Sequence, residues 1–222
     1  FHILMMNRRV ISLIGISGVS LFAIAYVVGG LLVENYSFVS QYISESYAID
    51  TEYGMVLRTF GYIPSGILIT LFCFLAYRKF PSSSLIKSGF YGLSIFYGIA
   101  TIMTGFFPCD SGCNPDFVNP SVSQIIHSLV GMLTYAFVPI SIVLIGLGLK
   151  RSPGYSRLSQ KAIIYGVVSG ALVILLLSNP ASNYIGLIQR GIESLFIIWV
   201  ITCAIELIKP TKDKMHSNLS SA

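Results

Sequence analysis

"ISLIGISGVSLFAIAYVVGGLLV", residues 11–33, contains no charged side chain over a length that crosses a bilayer. A helix rises about 1.5 Å per residue, so about 20 apolar residues span a hydrocarbon core of about 30 Å. The basic Asn7-Arg8-Arg9 before it is similar to the start of a secretory signal. The apolar run is longer than the roughly 7–15 residues of a signal core, however, and no small-residue cleavage site follows it, so it reads as a retained signal anchor. Residue 1 is Phe, which leaves Met5 and Met6 as candidate initiators.

Five further runs of this kind follow, at 54–77, 86–107, 122–149, 162–178 and 186–208. They are continuous rather than alternating, which favours spanning helices over a barrel. Pro139 lies inside the fourth and is expected to bend it, because proline removes one ladder hydrogen bond. The chain of 222 residues is 54% hydrophobic and 10% charged, with mean hydropathy +0.77. Soluble domains carry about 25% charged residues. The expected fold class is an all-α membrane protein, a six-transmembrane-helix bundle over residues 11–208. Residues 1–10 form a short cytoplasmic N-terminus and 209–222 a disordered cytoplasmic tail.

All but two of the 14 Lys and Arg residues sit before the first run, after even-numbered runs or at the start of the next. They are Arg8, Arg9, Arg78, Lys79, Lys87, Lys150, Arg151, Arg157, Lys161, Lys209, Lys212 and Lys214. The other three connections hold Glu34, Glu45, Asp50, Glu52, Asp110 and Asp116 and no basic residue. The positive-inside rule therefore places both termini in the cytoplasm of a plasma membrane. A reporter fused after Lys214 checks this, an extracytoplasmic signal being the contrary result. The cations punctuate apolar runs rather than forming one patch, which argues against a nucleic-acid partner and for membrane lipids.

The two remaining cations, Arg58 and Arg190, fall about one turn inside runs that begin at the outer face. Gln124 and His127 open the fourth run, and Gln189 and Glu193 flank Arg190. Ionisable groups within spans are costly and point to function. Their common depth predicts a shared polar pocket near the outer face. There Arg58 and Arg190, with Gln124 and Gln189, would hold an anionic group such as a lipid head group. The bland alternative pairs Arg190 with Glu193 at i, i+3 and lets Arg58 snorkel. In the first outer connection Tyr36, Val39, Tyr42-Ile43 and Tyr47 recur at helical spacing. This predicts a short interfacial helix, which in the functional reading is a lid carrying Ser44 and Glu45. Asn179 and Asn183, in the last outer connection, either line the rim or serve as turn residues.

Cys109 and Cys113 bracket "DSG" in the second outer connection. Outside the cytoplasm a disulfide is the first reading. Closing five residues contributes about 2 kcal/mol by loop entropy. A zinc site needs about four ligands, and the C-x3-C spacing is not that of redox motifs, so both are weaker readings. His127 is the single histidine at a span, since His2 and His216 are in the tails; a bis-histidine haem is unsupported, and no cofactor is expected. His127 with a carboxylate from Asp110, Glu45 or Glu193, and Ser44 as nucleophile, are the catalytic candidates if the protein is an intramembrane hydrolase or transferase. A transporter would show repeats or broken helices with polar groups at the midplane, and an accessory subunit small-residue faces.

"SQYISESYA", "TGFFPCDSGC", "IIHSLVG" and "GLIQRGIESLFIIWV" occur here in the order found in a family of six-pass prokaryotic membrane proteins. The chain resembles that family, domain of unknown function 998, over about residues 10–208. Ser46-Tyr47-Ala48 stands where the family usually shows a glycine. The resemblance implies the bundle and directs attention to Ser44, Glu45, Asp110, His127 and Arg190. It supplies no reaction.

Overall fold

The computed structural model describes residues 6–209. His2, His216, Met5, Lys212, Lys214 and the expected tail beyond Lys209 lie outside the described residues. Six helices are long and apolar enough to cross a membrane: α1 Arg8–Leu32, α2 Gly54–Lys79, α3 Ser84–Phe106, α4 Val122–Lys150, α5 Ser156–Ser178 and α6 Ile185–Ile208. No strand occurs among the described residues. Asn7 caps α1 by accepting the Arg9 N–H, and Ser121 caps α4 by accepting the Gln124 N–H at 3.0 Å. α5 starts at Ser156, not at 162. Arg157 and Lys161 lower the hydropathy of its first turns, but they are good helix formers whose long stems extend to the interface. α4 runs unbroken through Pro139.

Each helix packs on the next, and α6 returns to α1, so the bundle closes as a ring. The connections at 80–83, 151–155 and 179–184 are too short to recross a membrane, because an extended residue covers at most about 3.6 Å. Across the longer connections, Gly15 faces Phe72 and Gly29 faces Leu57, and Gly89 faces Ile145 and Gly148 faces Ile86, so successive helices are antiparallel throughout. This gathers the Lys- and Arg-rich turns at one end and the 33–53, cysteine and 179–184 connections at the other. Large apolar side chains such as Leu13, Phe60, Val122 and Ile174 are exposed on the outer surface. In water that would be a liability, but in lipid it is the expected solvent face. Inside, Tyr97 of α3 meets Phe22 of α1 and Phe196 of α6 edge-on.

Two helices are not uniformly α. Arg58–Tyr62 in α2 and Ser94–Ile99 in α3 are π-helical. Such segments rotate the side chains around them out of α register and recur at functional sites. They carry Arg58 and Tyr97 respectively.

The helix expected in the first connection is much reduced. Only Ile43–Tyr47 is helical, as a 3₁₀ turn, and residues 33–42 form turns and bends around it. It does not lie on the interface either. Ile43, Ser46, Tyr47 and Ala48 are buried, with the Tyr47 ring 4.1 Å from that of Tyr62. Helical spacing of aromatics cannot distinguish an amphipathic surface helix from a plug whose backbone is satisfied by distant side chains. The second arrangement is the one found.

Candidate functional site

The plug is held by side chains of α2 and α6. Arg190, 9% exposed, donates through one guanidinium nitrogen to the carbonyls of Phe38 (2.8 Å), Gln41 (3.0 Å) and Gly186 (3.0 Å). Its other terminal nitrogen donates to the Tyr36 hydroxyl, and the guanidinium lies 5.0 Å from the Phe38 ring centroid. Arg58 donates to the Tyr47 carbonyl at 2.6 Å. The Gln189 carbonyl accepts the Ile43 N–H at 2.7 Å. Glu45 remains local, its two oxygens accepting the Tyr42 N–H and the Gln41 amide. The expected convergence of Arg58 and Arg190 on one anion is not what the geometry shows. Neither lines the cavity described below, and both are engaged on loop carbonyls. Glu45 likewise turns to its own loop.

The second connection is closed by the Cys109–Cys113 disulfide, with Cα atoms 4.8 Å apart. The Ser44 hydroxyl lies 3.3 Å from Cys113 Sγ, and Ile49 N–H donates to the Cys109 carbonyl. The two connections thus form one cover. Asp110 does not face His127. Its carboxylate accepts the Ser121 N–H and hydroxyl, while its own N–H donates to Gln124 Oε1 at 2.8 Å. Asp110 therefore links the cysteine loop to the start of α4. The Ser121 N–H, then the Ser121 hydroxyl, hold its carboxyl below the ordinary carboxylate value. A carboxyl depressed in the fold stabilises fully above its unfolded value and loses that contribution as pH falls through the folded one. Acidification below about pH 4 is thus expected to loosen the cysteine loop. Amide exchange at Ser121, corrected for its intrinsic pH dependence, checks this; Asp110→Asn should lose the pH-dependent step.

Beneath the cover lies a cavity of about 360 Å³, within the range of about 300–1,000 Å³ of small-molecule sites. Ser44 and Tyr47 come from the plug, and His127, Tyr135, Gln189 and Glu193 from α4 and α6. Asn179 and Asn183 are not among its lining residues. Gln124 lines it with Oε1 engaged on Asp110 and its amide donating to the Ser128 hydroxyl. His127 Nδ1 is 2.8 Å from the Phe107 carbonyl, which accepts, so Nδ1 carries the proton. No carboxylate hydrogen-bonds to His127 among the contacts of the described residues, so the catalytic pairing expected for an enzyme is not assembled directly.

Glu193 is 4% exposed. Its Oε1 accepts the Tyr135 hydroxyl at 3.1 Å, and the Tyr135 oxygen accepts the Gln189 amide at 2.7 Å. Oε2 is buried, as is the Tyr97 hydroxyl beside the same carboxyl. The pairing of Arg190 with Glu193 along α6 is replaced by these separate networks. The tyrosines were missed in the sequence because they read as apolar packing. The available signal was a hydroxyl in the middle of an apolar run, which must find a partner when buried. Gly131 also went unnoticed. It lines the cavity, and a Cβ placed there would meet nothing within 4 Å.

The ring of six apolar helices defines a multi-pass helical membrane protein. The family described as "Protein of unknown function (DUF998)" matches residues 16–206, and the chain belongs to it. Comparison with curated proteins found no match. Comparison with solved structures found none either.

Proposed function

We propose that this protein binds the polar end of an amphiphile in the covered cavity, from the outer leaflet of a prokaryotic plasma membrane. The supporting observation is a cavity with two kinds of wall. One wall holds buried polar groups, Glu193, Gln189 and His127. The other includes Met132 of α4 and Leu177 of α5, which are 55% and 59% exposed on the lipid-facing surface. A head group fits the first wall while its tail leaves between α4 and α5 into lipid. The acidic cover and the Lys- and Arg-rich opposite end support the orientation.

Gly131→Leu tests the reading by filling the cavity from an open position. Native mass spectrometry of gently purified wild type is expected to show a bound lipid or metabolite, and the variant at least about tenfold lower occupancy. An empty wild type, or equal occupancy in a folded Gly131→Leu protein, overturns it.

A further inference from the structure

We propose that the ligand carries a cationic nitrogen, so that the cavity selects amphiphiles with an amine head group. This rests on the binding role just proposed. The argument is one of charge and hydrogen-bond direction. A buried carboxylate is costly unless it is paired. Within the protein the available cations are committed elsewhere. Arg190 donates to Phe38, Gln41, Gly186 and Tyr36, and Arg58 to Tyr47 and Ala48. No Lys or Arg lines the cavity.

The donors form a chain that ends on the carboxyl. Ile43 N–H donates to Gln189, the Gln189 amide to Tyr135, and the Tyr135 hydroxyl to Glu193 Oε1. Its direction makes Glu193 Oε1 an acceptor. Oε2 is buried, the Tyr97 hydroxyl lies beside the same carboxyl, and both residues line the cavity. An ammonium head group beside Glu193 supplies the charge partner that the cavity lining lacks. Tyr47, Tyr97, Tyr135 and Phe22 line the same space, and aromatic rings attract a desolvated cation. An anionic head group would find no Lys or Arg in the cavity lining to pair with.

Hexadecylamine, hexadecanol and hexadecanoic acid, added to the full protein in neutral maltoside micelles, separate charge from chain burial. Competition measured by native mass spectrometry is expected to rank the amine at least about tenfold above the alcohol, with the acid weakest. Glu193→Gln keeps the shape and the Tyr135 hydrogen bond, and should bring the amine level with the alcohol. If the alcohol or acid binds wild type as well as the amine does, and Gly131→Leu blocks it, the cationic assignment falls and the binding role stands. If none of the three binds the wild type, the cationic assignment falls, and the binding role falls with it only if the wild type also purifies empty. The wild-type ranking decides the matter even if Glu193→Gln fails to fold.

Discussion

Arg190→Ala is expected to release the 33–53 connection and to destabilise the fold by about 3 kcal/mol or more. The guanidinium satisfies carbonyls at Phe38, Gln41 and Gly186 and holds the Tyr36 hydroxyl, all from a nearly buried position. Its removal takes the donor from the Phe38 and Gln41 carbonyls in a poorly hydrated site and deletes the contact with the Phe38 ring. Arg190→Lys should recover only part of the loss, because a point-like ammonium cannot serve so many divergent acceptors. Thermal unfolding in detergent gives the stability, and limited proteolysis within 33–53 reports the loop. A variant that melts with wild type and resists cleavage would show that the plug is held without Arg190. The effect should extend to ligand occupancy, since Ser44 and Tyr47 roof the cavity from the same connection.

Gly98→Val is the second large effect, expected at about 3 kcal/mol from overpacking. A Cβ at Gly98 would stand 2.7 Å from the Thr70 backbone nitrogen and 2.9 Å from Thr70 Cα. Across the same crossing, a Cβ at Gly66 would stand 2.7 Å from the Gly98 carbonyl oxygen. These neighbours are main chain, so no side-chain rotation relieves the contact and α2 must move away from α3. Close approach through small residues is the usual way membrane helices gain packing without a hydrophobic driving force between them. Gly131→Ala is the control, an open helical position where the change should be neutral or stabilising by up to about 1 kcal/mol. Equal melting of Gly98→Val and wild type would contradict the crossing.

Much of the bundle was legible in the chain because lipid imposes a simple requirement. Each backbone polar group must be satisfied within its own helix, and the side chains facing lipid must be apolar over a full span. Residues 11–33 meet both conditions visibly. The start of α5 was less legible, because Arg157 and Lys161 break the hydropathy without breaking the helix. The sequence picked out polar residues at one end of the bundle but not what each of them does. His127, Gln124, Gln189, Glu193 and Ser44 were singled out, and all line one cavity. Arg58, Arg190, Glu45 and Asp110 were singled out by the same reasoning, and all hold the cover instead.

What the sequence alone determined is the class of protein: six apolar spans, and basic residues segregated to alternate connections. These are properties of windows along the chain. What only the tertiary structure decided is where each polar group is engaged. Arg190 and Glu193 are three residues apart on one helix, yet the first is engaged on backbone carbonyls about 150 positions away in sequence and the second lines a cavity. Hydrogen-bond satisfaction depends on partners brought together by folding, so a residue's chemistry is fixed by the groups that reach it rather than by its depth in a span.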